Sequence, residues 1–216
     1  MRRTPSLVSS LLPVTVALSA VALLAGCASL SGIAAADGTS PTTTGSAAMA
    51  KATAEQRAGT GLEKVHDPKK VTYSRTLSTC QFRDGSRLPD PACTPGAIDP
   101  AVTQANIRST ICRRGYTSTV RPSVVQTDHA KFNVEYVAYH VKHSAKSELD
   151  HLVSLELGGA NDIANLWPEL GKQPNPKDAV ENALHRAVCS GTVTLAAAQQ
   201  AIATNWLTAK ARLGLL

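Results

Sequence analysis

The sequence predicts an α+β domain of small strands and flanking helices, stapled by disulfides and carried behind a leader and a tether. Three observations lead there. Short apolar runs and helix-spaced apolar runs share the C-terminal two thirds of the chain. Residues 28–62 are dominated by Ala, Ser, Thr and Gly, which cannot bury enough surface to offset their ordering entropy. Four cysteines remain once the first 27 residues are set aside. Only 14 of 216 residues are Gly and no heptad persists, which excludes collagen-like and coiled-coil chains. No interior run of about twenty apolar residues exists, which excludes a polytopic membrane protein.

The N-terminus opens with Arg2 and Arg3, continues through an apolar stretch from Leu11 to Leu24, and closes on Leu24-Ala25-Gly26-Cys27. A basic start, a short apolar run and small residues describe a secretory signal peptide over residues 1–26. Leu-Ala-Gly-Cys resembles the lipobox of bacterial lipoproteins, which implies that Cys27 is the lipidated first residue of the mature protein. Residues 27–62 then form a disordered tether, and the expected location is the outer face of the cell membrane, or the medium if the anchor is not used. Arg2 and Arg3 leave with the leader and no acid does, so the net charge falls from +6 to +4.

An even set of cysteines in an exported chain favours two disulfides. Cys80, Cys93, Cys112 and Cys189 allow three pairings. Cys80–Cys93 with Cys112–Cys189 is favoured, because the first closes a Pro/Gly/Asp-rich loop and the second joins two expected helices.

Residues 63–100 form an extension, with Val71-Thr72-Tyr73 and Leu77-Ser78-Thr79 as short strands and Leu88-Pro89-Asp90-Pro91 and Asp99-Pro100 as turns. Ala101 to Cys112 is expected as a helix ending at Arg113-Arg114-Gly115-Tyr116, and Arg121-Pro122 as extended chain. A second helix is expected from Thr127, its N-cap, to His140. Glu148 to Leu157 contains two apolar stretches around a turn and ends at Gly158-Gly159. Pro176 to Val188 places Val180, Leu184 and Val188 on one helix face, and Thr194 caps a last helix through Leu195, Ala198, Ile202 and Trp206. Trp167 and Trp206 are expected as core anchors rather than stacking platforms.

Charge is segregated. Residues 106–146 hold seven basic side chains against Asp128 and Glu135, while residues 147–181 hold seven acids against two lysines. A basic flank beside an acidic segment suits phosphates next to a carboxylate-held metal, and it is also ordinary surface variation. Arg113, Arg114 and Arg121 are the candidate phosphate contacts.

The informative stretch is Asp150-His151-Leu152-Val153-Ser154-Leu155-Glu156-Leu157-Gly158-Gly159, followed by Asn165-Leu166-Trp167-Pro168-Glu169. An Asp-His pair ending a strand, a Gly-Gly turn and Asn-Leu fourteen residues after the His resemble the HNH, or ββα-metal, endonucleases, closest to the exported bacterial type. Lys177-Asp178 with Glu181, Val188-Cys189-x-Gly191, Ile111-Cys112-x-x-Gly115-Tyr116-Thr117 and Val120-Arg121-Pro122 fit the same group. The resemblance covers residues 93–206 and implies a small ββα-metal core within 101–216.

The resemblance implies hydrolysis of phosphodiester bonds in DNA, or RNA, with one divalent metal, Mg or Mn first and Zn as the alternative. His151 suits the general base, because an imidazole titrates near working pH. Asp150 points to the opposite face of a regular strand, so a bend is needed for the two to converge on a metal and a water. Asn165 would hold the loop or orient His151. The motif usually supplies its last ligand as His or Asn from the next helix, and no His stands at the start of that helix here. Asp178 is the first choice, with Asn175, Asn182 and His185 as alternatives. His129, His140 and His143 are not expected to form a metal cluster. The competing expectation is a non-catalytic envelope lipoprotein that uses the same fold to bind nucleic acid or a protein. Nothing in the sequence calls for an obligate protein partner.

Overall fold

The computed structural model describes residues 61–216. The leader, Cys27 and all of the tether but its last two residues lie outside the described residues. The described residues form a mixed α+β protein with two small sheets, of which the one that positions the site is a hairpin. Strands β3 (Ser147–His151) and β4 (Leu166–Leu170) pair antiparallel, with Glu148 opposite Glu169, Asp150 opposite Trp167 and His151 opposite Leu166. A helix, Pro176–Ser190, follows β4 directly in the sequence.

Alternation of side chains across the hairpin sorts the site residues. Glu148, Asp150, Trp167 and Glu169 share one face; Leu149, His151 and Leu166 share the other. The chain bends at Leu152 and Val153, directly after the Asp-His pair. The bent loop returns through a 3-10 turn at Leu155–Leu157 and the Gly158-Gly159 dipeptide. Both glycines are required here. Gly158 sits at φ +72°, and a Cβ there would lie 2.8 Å from Val102; a Cβ on Gly159 would lie 1.7 Å from the Val153 carbonyl oxygen.

Other elements complete the frame. In chain order they are β1 (Glu63–Lys64) and β2 (Ala97–Ile98), which pair parallel, then α1 (Tyr116–Val120) and α2 (Val124–His129). A π-helical segment (Ala130–Glu135) and α3 (Tyr136–Ala138) continue α2. The helix after β4 is α4 (Pro176–Ser190), and α5 (Leu195–Arg212) is the last. Pro176 at the first position of α4 and Gly191 at φ +81° beyond its end mark its limits. Thr194 caps α5 through its hydroxyl, 3.2 Å from the Ala197 amide. A break at Asn205 (φ −167°, ψ 102°) divides α5, and its side-chain oxygen accepts the Leu207 amide at 2.9 Å.

The largest core cluster joins Leu152, Val153, Leu157 and Trp167 of the hairpin to Leu184 and Val188 of α4 and Ile202 and Trp206 of α5. Cys80, Leu88 and Cys93 belong to the same cluster, so the 63–100 segment shares its core with residues 101–216. The disulfides are Cys80–Cys93 and Cys112–Cys189, with Cα atoms 6.0 and 5.6 Å apart. No helix among the described residues is long and apolar enough to cross a membrane.

Three expectations about elements are corrected. Residues 101–112 form a 3-10 turn at Gln104–Asn106 and further turns, not a helix. Local polar side chains take the backbone groups that a helix would use: Asn106 accepts from the Thr103 amide and donates to the Ala101 carbonyl, and the Ser109 and Thr110 hydroxyls donate to the Asn106 carbonyl. The second helix begins at Val124, after an extended Ser123, and ends at Ala138. Thr127 therefore lies within it, its hydroxyl bonded to Val124 O at 3.0 Å. Val71-Thr72-Tyr73 is reduced to one bridge, Thr72 to Asp162, because its partner is a loop and not a strand, and Leu77-Ser78-Thr79 forms no strand.

Candidate functional site

The loop between β3 and β4 fixes His151. Its Nε2 lies 2.9 Å from Asn161 Oδ1, and the Asn161 amide nitrogen donates to Val120 O at 2.8 Å. That second bond orients the amide so that its oxygen faces the ring, which makes Nε2 the protonated nitrogen and leaves the lone pair on Nδ1. His151 is buried, and burial pushes the imidazole down to about 4, against the opposing pull of Asp150 and Asn161. The ring is therefore neutral at pH 7.

Asn165, four residues further on, is fully buried, and its side chain makes no hydrogen bond to His151. Its side-chain oxygen accepts the Val153 amide at 2.9 Å and the Ala97 amide at 3.3 Å, and its nitrogen donates to Val153 O and Ala160 O. Of the two roles expected for Asn165, it performs the loop-holding one. Asn161 performs the orienting one. Nothing in the sequence distinguished Asn161 from an ordinary turn residue.

On the other face of β3, Lys177 of α4 is completely buried, with its ammonium 2.7 Å from Asp150 Oδ2, 2.7 Å from His151 O, and also paired with Glu181. Burial pushes the Asp150 carboxyl up, but Lys177 and a hydrogen bond from Glu169 outweigh it and hold the group below its ordinary value. Burial acts on Lys177 in the opposite sense to its three acidic neighbours, Asp150, Glu181 and Glu169, which prevail and keep it charged. Glu169 is pushed up to about 9 by burial and by the Asp150 charge, and it is the protonated partner of that pair. Glu181 rises to about 7, from burial opposed by Lys177.

A cleft of about 290 Å³ opens over this cluster, lined by Arg121, Asp150, His151, Asp178, Glu181 and Asn182 among others. The bend after His151 lets residues from opposite strand faces reach it. Its acids outnumber its cations, and Glu148 Oε1, on its lining, is buried without a hydrogen-bond partner. Oxygen donors with surplus negative charge fit a hard divalent cation such as Mg²⁺ or Mn²⁺ better than Zn²⁺.

The remaining sequence candidates divide. Arg121 lines the cleft; Arg113 and Arg114 are exposed and line neither large cavity. Asp178 lines it, although Asp178 Oδ2 also accepts the Asn175 amide at 3.0 Å and so closes the first turn of α4. Asn182 lines it with its amide donating to Asp178 O, while Asn175 precedes the helix. His185 is turned away, bonded to Ile111 O at 2.9 Å and paired with Glu156 at 3.3 Å. Among the described residues, Cys112, His185 and Cys189 bring donor atoms within 4.8 Å of one another, but the two sulfurs are joined in a disulfide. Glu181 was missed as a site residue. Its signal was present, since Lys177, Glu181, Leu184 and Val188 follow one buried helix face.

Fold and cleft together define a disulfide-stapled α+β domain with a buried neutral histidine beside a carboxylate cluster. Compared with known proteins, the chain matches no family model, no curated protein and no solved structure.

Proposed function

We propose that the chain is an exported, metal-dependent nuclease of HNH type that hydrolyses phosphodiester bonds of DNA, with RNA as a further substrate. The observation that carries this reading is His151, locked through Nε2 by Asn161 beside a cleft that also holds Arg121 and the Asp150 carboxylate. The order strand, loop, strand, helix over residues 147–190 supports a ββα core. A neutral imidazole is the form that accepts a proton, and a phosphate arriving beside it raises its basicity. Nδ1 takes the proton of a water whose oxygen attacks phosphorus, and the ester oxygen opposite departs with the P–O bonding pair and takes a proton from solvent water. Arg121 holds a non-bridging phosphate oxygen. Asp150, with Asp178 or Glu181, would hold a divalent cation, which when bound supplies charge stabilisation to the phosphate. Lys177 positions Asp150 and does not reach substrate, being wholly buried.

Export, with anchoring through Cys27, belongs to the same proposal and is supported by the two disulfides. The test is plasmid cleavage with Mg²⁺ or Mn²⁺. His151→Ala is expected to lower the rate by at least about a hundredfold with the fold intact; an unchanged rate removes His151 as the base. One observation favours a second reading, a non-catalytic envelope lipoprotein that binds nucleic acid or a protein partner. Asp150 Oδ2 and Asp178 Oδ2 are already engaged, by Lys177 and by the Asn175 amide. Calorimetric titration with Mn²⁺ and Zn²⁺ separates the two, since the nuclease requires binding that Asp150→Asn weakens.

A further inference from the structure

A second cavity, of about 300 Å³, lies on the other side of β3 and shares Arg121, Glu148, Leu149 and His151 with the first. Its character is different. Val71, Pro122, Val124, Leu149 and Leu166 form its walls. Its volume is at the lower end of the ~300–1,000 Å³ ordinary for small-molecule sites, enough for one nucleobase and its sugar.

Charge decides which part of a nucleotide belongs where. Arg121 stands between the two cavities, and its side chain makes no hydrogen bond or ion pair with another described residue. Lys131 also lines the apolar cavity, but its ammonium is committed to Ser147 O at 2.9 Å and lies 5.3 Å from the Phe132 ring centre. Asp128 and Glu148 are carboxylates on the lining. A phosphate is therefore drawn to Arg121, beside His151, and kept out of the apolar cavity, whose occupant must be uncharged and largely apolar.

The geometry points to a nucleobase subsite: the cavity walled by Val71, Pro122, Val124, Leu149 and Leu166 takes an unpaired base adjoining the phosphate held at Arg121 and His151. This rests on the nuclease reading for its substrate class and adds the strand state of that substrate. A base inside a duplex is stacked and paired, and extracting it costs a few kcal/mol. The chain accordingly prefers single strands, frayed ends or loops.

The test is fluorescence anisotropy of the full chain in EDTA, which withholds the metal that cleavage needs, with a labelled 12-nucleotide strand and the same sequence as a duplex. The single strand is expected to bind at least about tenfold tighter. Thr127→Phe, which fills the cavity from a residue whose hydroxyl bonds only within its own helix, and Val124→Glu, at a side chain 72% exposed, are expected to reduce that preference to within about twofold. Val124→Glu keeps the test decisive if Thr127→Phe misfolds. Equal affinity for strand and duplex, or full preference in both folded variants, overturns the subsite. Strand preference in a chain that cleaves neither strand nor plasmid with Mg²⁺ or Mn²⁺ supports the subsite and overturns the nuclease instead.

Discussion

Asn161 and Asn165 lie on one loop, and the same side-chain amide does different work at each. Asn165 satisfies four backbone groups, two of them on Val153, so truncation strands buried donors and acceptors at about 1–3 kcal/mol each. Asn165→Ala is expected to lose at least about 3 kcal/mol of unfolding free energy by urea titration, and activity only in proportion to the unfolded fraction. Asn161 touches one side chain that matters, the His151 ring. Asn161→Ala, which strands the Val120 carbonyl alone among backbone groups, is expected to lose only about 1–2 kcal/mol of unfolding free energy and to lower kcat about 10–100-fold at unchanged KM, as loss of an orienting partner does. If Asn161→Ala retained full kcat, tautomer control through Nε2 would be excluded. Both residues were visible in the sequence as polar turn positions, yet only Asn165 was singled out, and only through the resemblance. Which amide faces the ring depends on the path of the loop back over Val153, set by contacts around Gly159 that spacing does not report.

At the level of elements, α4 joins stability to the site. Its N-terminal turn presents Asp178, its buried face carries Lys177 and Glu181 under β3, and near its C-terminus Cys189 ties it to Cys112. Lys177→Met removes the one ammonium between Asp150 and Glu181 and leaves two carboxylates facing each other out of water. Breaking a buried pair in this way costs about 3–5 kcal/mol, a loss to be read from denaturant midpoints; a change below about 1 kcal/mol would mean that the acids are neutral without Lys177. The limits of α4 and the start of α5 were legible because Pro176, Gly191 and Thr194 act locally. The 101–112 segment was not. Val102, Ile107 and Ile111 are buried as a helix face would be, but Asn106, Ser109 and Thr110 divert the backbone bonds into turns. The apolar cavity was equally hidden, since Val71, Val124 and Leu166 are far apart in sequence and meet only through the fold.

The whole molecule carries its buried acids as a pH-dependent cost. Glu135 and Glu169 are pushed up to about 9 and Glu181 to about 7, chiefly by burial, so the folded chain binds more protons than the unfolded one above the ordinary carboxylate range. Their contribution is complete below pH 4.5 and is lost as pH rises through 7 and then 9. His151 acts in the other direction. Its folded value of about 4 lies below 6.5, so its contribution is complete above pH 6.5 and is lost as pH falls towards 4. Three acids against one imidazole place greatest stability on the acidic side, near pH 5, with a decline from there to pH 9. A cation held by Asp150 with Asp178 or Glu181 favours the ionised form of Glu181 and offsets part of this decline, whereas Glu135 and Glu169 do not line the cleft and keep their cost. Mn²⁺ is therefore expected to raise Tm more at pH 8 than at pH 5, by several degrees, as mass action on the deprotonated site requires. Differential scanning calorimetry at the two pH values, with and without Mn²⁺, measures it directly. An equal shift at both would place the ion away from these carboxylates, and no shift at either would favour the binding protein over the nuclease.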